Sequence, residues 1–207
     1  MTFSPNNITV PRGSDASVNV TVTAPAGPLK GIYGGWVVAT PNDAGQVVRV
    51  PFAGFIGDYQ SVQALTPVYA PPYGFPWLAR LTPDGASFNM ESAGAVFTLA
   101  SIDQVPQVLI HFDHQVQQIQ LQVTDPVSGR NWQFIDNSKY IPRNSTTTGF
   151  YYWTFDGTTW TPNLKKAFTV PNGSYIITVR ALKALGNPDN PADWETWTSP
   201  VFTIARP

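Results

Sequence analysis

The segment GIYGGWVVATPNDAGQVVRVPFAGFIGDYQ (residues 31–60) carries the clearest structural signal in the chain. It contains two strand-like runs, GIYGGWVVAT (31–40) and QVVRVPFA (46–53). Between them lies PNDAG (41–45), a linker made of residues that favour turns. Two alternating runs that are joined by a short, turn-rich linker predict a β-hairpin.

After this hairpin, glycines are interleaved with aromatic residues, a pattern that does not favour a continuing strand. We expect Gly54 and Gly57 to give the backbone the freedom for a tight turn. Phe52, Phe55 and Tyr59 would then pack beside the sheet or against a neighbouring domain. The alternative is a loop that grips a ligand, in which the same aromatic rings would stay exposed.

Short strands and turns continue to the end of the chain. Further strand-like runs are SVNVTVTA (17–24), AVFTLAS (95–101), VLIHFDH (108–114), VQQIQLQVTD (116–125) and WETWTSPVFTI (194–204). Short strands about ten residues apart, with turn signals between them, are typical of β-sandwiches. We therefore predict an all-β protein with two tandem β-sandwich domains, residues 1–104 and residues 105–207, the first of which ends with the strand at 95–101.

Two dipeptides in the second half predict tight hairpin turns. Asp156-Gly157 lies inside FYYWTFDGTTW (150–160), and Asn172-Gly173 lies inside AFTVPNGSYIITVRAL (167–182). Asp-Gly and Asn-Gly pairs favour two-residue hairpin turns because both positions accept positive φ. Each of these segments is therefore expected to fold back on itself.

The composition restricts the class of protein. The chain has 207 residues, of which 43% are hydrophobic and only 12% are charged, with a formal net charge of -1. Its 20 prolines and 16 glycines interrupt the sequence too often for long helices. A near-neutral chain offers no basic surface for nucleic acid, and no apolar run is long enough to span a bilayer. The absence of cysteine excludes disulfides and thiolate chemistry.

The acceptor pattern for N-linked glycans, Asn-x-Ser/Thr, points to a secreted, extracellular glycoprotein. It occurs at Asn7, Asn19, Asn144 and Asn172. We expect Asn19, on the polar face of its strand, and Asn144, in a Ser/Thr-rich loop, to be modified more readily than Asn172. The last of these sits in a tight Pro-Asn-Gly turn.

The candidates for catalysis or metal binding are few. The two histidines, His111 and His114, flank Asp113 in the run HFDH. Three positions apart in a strand they would face opposite sides, so they cannot chelate zinc together, and a structural role at the strand end is expected. Asp189 and Asp193, in NPDNPADWE (187–195), offer oxygen ligands that calcium could use, although Asn-Pro pairs are also ordinary turn formers. No other cofactor is indicated.

Tryptophan is the other chemically distinctive residue. Exposed rings could stack on sugars or grip a peptide, but rings in two small sandwiches are more often part of the core. The tryptophans are Trp36, Trp77, Trp132, Trp153, Trp160, Trp194 and Trp197. The sequence favours a core position for most of them and leaves a ligand-binding role open.

The hairpin segment resembles the fibronectin type III-like domain that follows the catalytic domain in large secreted subtilisin-like serine proteases. The residues that carry this resemblance are Tyr33, Gly34, Gly35, Arg49, Pro51, Phe52, Gly54, Phe55, Gly57, Asp58 and Tyr59. The opening strands, the segment RNSTTTGFYYWTFDGT (143–158) and the C-terminal ADWETWTSPVFTI (192–204) are also similar to this family. The resemblance covers nearly the whole chain and implies a fibronectin type III-like domain followed by an Ig-like domain.

The resemblance implies a parent serine endopeptidase, but the catalytic motifs of subtilases, Asp-Ser/Thr-Gly, His-Gly-Thr and Gly-Thr-Ser-Met, are missing from this sequence. The chain is therefore expected to be non-catalytic. Its expected role is to stabilise the catalytic domain in cis and to shape access to the cleft; protein substrates or a cell-wall surface are further possible partners. The alternative is a carbohydrate- or surface-binding module that uses exposed aromatic residues. An independent hydrolase is the third hypothesis, which no catalytic constellation supports.

Overall fold

The computed structural model describes residues 1–43, 45–65, 74–161 and 166–207, and it is nearly all β, as predicted. Besides three short 3-10 helices, these residues form strands β1 (Thr2–Ser4), β2 (Asn19–Thr21), β3 (Ile32–Ala39), β4 (Val48–Phe55), β5 (Trp77–Leu81), β6 (Phe88–Met90), β7 (Ala95–Phe97), β8 (Gln107–Ile110), β9 (Val116–Thr124), β10 (Asn131–Asp136), β11 (Lys139–Ile141), β12 (Tyr151–Thr154), β13 (Thr158–Thr161), β14 (Lys166–Thr169), β15 (Gly173–Lys183), β16 (Trp194–Thr198) and β17 (Phe202–Ile204). Within the described ranges, no helix is long and apolar enough to cross a membrane.

The chain divides into two compact units, Met1–Tyr59 and Gln60–Pro207, rather than between residues 104 and 105. The difference has a physical reason, because strands on both sides of residue 104 share sheets. β5 pairs with β8, and β7 pairs in parallel with β17. The strand at 95–101, expected to close the first domain, therefore contributes to a sheet of the second unit.

The first unit, Met1–Tyr59, consists of two separate pairs of strands. β3 and β4 form the predicted hairpin, in register from Ile32 opposite Phe55 to Ala39 opposite Val48. β1 and β2 form the other pair. The strand that was predicted at 17–24 is reduced to three residues, and Val20, predicted to be buried, is 37% exposed. None of the described residues in this unit is buried.

The second unit, Gln60–Pro207, contains two sheets. The larger has the order β14-β13-β10-β9-β15-β17-β7, with β11 also paired to β9 and β16 to β15. The smaller has the order β12-β8-β5-β6. The long strands β9 and β15 form the centre of the larger sheet, and their alternate residues are buried, as the alternating sequence predicts.

Both sheets of the second unit contribute side chains to one hydrophobic core. From the smaller sheet come Leu78, Val108 and Ile110, and from the larger sheet come Phe97, Ile119, Leu121, Val123, Ile177, Val179, Ala181, Phe202 and Ile204. Burial of apolar surface between two sheets is the arrangement that stabilises a β-sandwich. The second unit is therefore sandwich-like.

The two predicted hairpin turns are wrong. β12 pairs with β8, whereas β13 pairs with β10 and β14, so Asp156-Gly157 connects strands of different sheets. Phe155, just before this turn, is fully buried in the shared core. The segment around Asn172-Gly173 likewise joins β14 to β15, two strands that do not pair with each other. Gly157 has φ +86, but neither Asp156 nor Asn172 has the positive φ that the predicted hairpin turn requires.

Near the start of β15, Tyr175 forms a local anchor. Its hydroxyl donates a 2.7 Å hydrogen bond to the carbonyl oxygen of Pro171, four residues upstream. Burial, with a smaller contribution from the Asp125 carboxylate, raises the pKa of this hydroxyl above its ordinary value. The group therefore remains a protonated donor at neutral pH and fixes the entry to the strand.

Candidate functional site

The hairpin β3–β4 combines glycines and aromatic rings in cross-strand pairs. Tyr33 lies opposite Gly54, and a Cβ atom at Gly54 would come within 2.3 Å of the Tyr33 ring. Phe52 lies opposite Gly35, where a Cβ atom would come within 3.1 Å of the Phe52 ring. Gly54 is therefore required to leave space for a neighbouring ring, and not for the backbone freedom expected from the sequence.

The opposite side of the same hairpin, which we call the outer face, is open and largely apolar, with Arg49 across from Val38 as its charged residue. It carries Ile32, Trp36 and Val38, which are 82%, 60% and 48% exposed. Pro51, directly across from Trp36, is also exposed. Exposed apolar side chains that are contiguous on one face mark an interaction surface. The outer face is therefore the candidate functional site of the first unit.

The predicted packing residues at the end of the hairpin lie beside this face. Gly57 has φ +111, a conformation that glycine adopts readily and that fits the expected tight turn. Phe55 packs edge to face on Tyr59, with 5.1 Å between the ring centroids. Both rings are only half-buried, so the expected burial of Phe55 is not found in this chain.

The histidines are held by local hydrogen bonds. His111 is 3% exposed; its Nδ1 lies 2.5 Å from the carbonyl oxygen of Gly149, and its Nε2 lies 3.0 Å from Oδ1 of Asp113. Both ring nitrogens are thus engaged, which gives His111 a structural role after β8, while His114 is half-buried. The described part of the chain contains no group of three or more His, Cys, Asp and Glu side chains that could hold a metal ion.

In the acidic loop that offered oxygen ligands for calcium, one carboxylate oxygen of Asp193 bonds to the loop backbone. Oδ2 of Asp193 accepts a 2.8 Å hydrogen bond from the backbone N–H of Asn187. Oδ1 of Asn187 accepts one of 3.0 Å from the N–H of Asp189. The bond between Asn187 and Asp189 is typical of an Asx turn. Calcium binding at Asp189 and Asp193 stays a prediction.

The glycan acceptor sites differ in how their side chains are engaged. Asn7 and Asn19 are exposed. Asn144 is half-buried, and its Oδ1 accepts a 2.8 Å hydrogen bond from the N–H of Phe112. Asn172 forms two 3.0 Å hydrogen bonds with the backbone of Arg206. The sequence predicted similar modification of Asn144 and Asn19, whereas, of these two, only the Asn19 side chain is exposed in the structure.

After secretion from a eukaryotic host, we expect a glycan on Asn19 and little or none on Asn144 and Asn172. Asn144 is half-buried, and the Nδ2 of Asn172, the atom that would carry the glycan, donates to the carbonyl oxygen of Arg206. The Asn19 side chain is exposed and contacts no described hydrogen-bond partner. Peptide mapping by mass spectrometry measures the occupancy at each site. Full occupancy at Asn172 with bare Asn19 would contradict the arrangement described here.

The tryptophans are neither fully buried nor uniformly exposed. Trp36 and Trp160 are 60% and 44% exposed. The others are half-buried, and several are fixed by their indole N–H or by a cation, for example Trp153, which donates a 2.7 Å bond to Asp136, and Trp194, which lies under Arg180. Most of the tryptophans were expected in the core. They are instead half-buried, and four of them pack against its edge.

The comparisons with known proteins give no family. No protein-family model matches the chain. A search of the curated proteins also finds no match. The function must therefore be argued from the geometry of the chain itself.

Proposed function

We propose that this chain is a non-catalytic accessory region of a secreted subtilisin-like serine endopeptidase, and that its first unit holds the catalytic domain. The observation that carries this proposal is the outer face of hairpin β3–β4, where Ile32, Trp36 and Val38 are exposed. Most of the residues that carry the resemblance to subtilase accessory domains lie in this hairpin, and Gly57, Asp58 and Tyr59 follow it directly. Coverage of the outer face would stabilise the catalytic domain and shape access to its cleft.

An energetic argument supports a partner for the first unit. Ordering the backbone costs about 1–2 kcal/mol per residue, and burial of apolar side chains is the main term that offsets it. None of the described residues of Met1–Tyr59 is buried, and a pocket of about 270 Å³ lies between its two pairs of strands. Such a unit gains stability when a second surface covers its exposed apolar residues.

The second unit supports the finer assignment to Ig-like domains. A tyrosine near the start of a strand whose hydroxyl bonds to the backbone a few residues upstream is a hallmark of immunoglobulin-like sandwiches. Tyr175 and Pro171 have this geometry. We infer that the second unit is an Ig-like domain and that the first corresponds to part of a fibronectin type III-like domain.

The proposal is tested by thiol accessibility, because the natural chain contains no cysteine. Ile32→Cys is placed in the chain alone and in the full gene product that includes the upstream-encoded segment. We expect the thiol to react with Ellman's reagent at least about tenfold more slowly in the full product, since the catalytic domain covers it. Val127→Cys, at a position that is 90% exposed in the second unit, is the matched control and should react equally in both.

Two results would overturn the proposal. The first is a gene that encodes no subtilisin-like catalytic domain next to this chain. The second is equal reactivity of the Ile32→Cys thiol in both proteins. A supporting measurement is the thermal inactivation half-life of the full protease, which Trp36→Ser should shorten severalfold while leaving the initial rate of peptide hydrolysis unchanged.

A further inference from the structure

The smaller sheet of the second unit carries a continuous row of aromatic rings on the side that faces away from the shared core. In order along the row, the rings are Trp77, Phe75, Phe150, Phe88 and Tyr152, and neighbouring ring centroids are 4.7, 5.4, 5.8 and 5.6 Å apart. Tyr152 is 60% exposed and Phe150 is 38% exposed. We call this set the aromatic row. Phe75 is buried and Trp77 and Phe88 are half-buried, so the row offers aromatic surface to a ligand mainly at Phe150 and Tyr152.

A groove of about 340 Å³ lies at the Tyr152 end of the aromatic row. Phe88, Leu81 and Ile102 provide its apolar lining, and Tyr152, Thr154 and Gln107 provide its polar groups. No charged side chain of the described residues lines it. The volume is in the range of small-ligand sites, and the mixture of apolar walls with a few polar groups is typical of them.

Gln107 provides a buried polar side chain that lines the groove. This residue is only 1% exposed, and it lies on β8, an inner strand of the sheet. Its Oε1 accepts a 2.7 Å hydrogen bond from the hydroxyl of Thr154. No described residue accepts a hydrogen bond from its Nε2. An acceptor on a ligand in the groove would pair with this amide N–H.

We propose that the groove binds one sugar unit of a neutral polysaccharide and that the aromatic row contacts the adjoining units. A hexose has an apolar face of C–H groups, which suits the rings of Tyr152 and Phe88, and a rim of hydroxyls, which accept from Gln107 Nε2. The uncharged lining excludes an anionic sugar as the preferred ligand, because nothing in the groove compensates its charge. A sugar suits both parts of the site, because its C–H face covers the rings and one of its hydroxyls accepts from Nε2.

The test begins with the whole chain and a panel of neutral oligosaccharides, namely cellohexaose, laminarihexaose, mannohexaose, xylohexaose and chitohexaose, measured by isothermal titration calorimetry. We expect at least one to bind. Tyr152→Ala should weaken that binding about tenfold or more, since it removes an exposed stacking surface without touching the core. Tyr140→Ala is the matched control, because Tyr140 is 76% exposed on β11 and lies outside the aromatic row; its variant should bind like the natural chain.

A second variant tests the buried donor. Gln107→Glu keeps an oxygen that accepts from Thr154 and removes the amide N–H donors, so the sugar affinity should fall even though the shape of the side chain is preserved. If this variant fails to fold, the proposal is tested by the sugar affinity of Tyr152→Ala alone. The proposal is overturned if none of the sugars binds at millimolar concentration, or if binding is the same in Tyr152→Ala.

Two further outcomes also count against it. In the first, a proline-rich peptide binds and the sugars do not, and Tyr152→Ala weakens the binding of the peptide. This result would assign the aromatic row to peptide recognition. The other is a dimer in solution that Tyr152→Ala converts to a monomer, which would assign it to self-association. The site is independent of the outer face of the hairpin, so either proposal can fail without the other.

Discussion

Replacing Phe202 by alanine should lower the free energy of unfolding of the second unit by about 3–5 kcal/mol. Phe202 is fully buried on β17, and its ring lies 5.7 Å from Phe97, 6.4 Å from Phe155 and 6.3 Å from Tyr175, measured between centroids. Truncation removes the transfer free energy of the ring and leaves a cavity among three aromatic neighbours. Domains of this size have only about 5–15 kcal/mol of stability, so the loss is a large share of the total.

Urea unfolding monitored by tryptophan fluorescence measures this change, since six of the seven tryptophans lie in the second unit. Val201→Ala, one residue earlier and 40% exposed, is the control and should change the stability by less than about 1 kcal/mol. Phe55→Ala, in the first unit, should hardly affect this transition, because Phe55 is half-buried there. A midpoint for Phe202→Ala equal to that of the natural chain would contradict the shared core.

The parts of the fold that depend on neighbouring residues could be predicted from the sequence. The hairpin β3–β4 joins adjacent runs, and the alternation in β9 and β15 records which side chains are buried. The division at Tyr59 could not be predicted. It depends on pairs such as β7 with β17, whose strands are far apart in the chain, and local patterns contain no information on which distant strand is the partner.

The candidate sites show the same limit. Gly57 has a positive φ, which fits the tight turn expected after the hairpin, but the role of Gly54 became clear only with Tyr33 across the hairpin. The alternation in FYYWTF (150–155) already separates Phe150 and Tyr152 from Tyr151 and Trp153. That signal could have identified the exposed rings of the aromatic row. It could not identify Phe88 as their neighbour, because this residue comes from another strand.

The segment that opens the second unit is held by one carboxylate. Glu195, on β16, accepts hydrogen bonds of 2.8 and 3.0 Å from the backbone N–H of Ala64 and one of 2.7 Å from that of Leu65. Ala64 and Leu65 are 2% and 7% exposed, so water cannot easily replace these bonds. The ammonium group of Lys183 adds a 2.5 Å bond to the carbonyl oxygen of Gln60. The chain therefore enters the second unit through a segment whose buried N–H groups depend on Glu195.

Glu195→Ala should consequently lower the free energy of unfolding by about 2–4 kcal/mol, because charge-assisted hydrogen bonds are lost and two buried donors are left without an acceptor. Hydrogen exchange of a peptide that covers residues 60–65 should rise by at least about tenfold, while exchange in β9 and β15 changes little under native conditions. Glu91, the only other glutamate, forms a 2.7 Å ion pair with Arg80. Glu91→Ala should lower the stability by about 1 kcal/mol or less, since a partly exposed pair contributes little. Equal losses in the two variants, or unchanged exchange at 60–65, would show that Glu195 does not hold this segment.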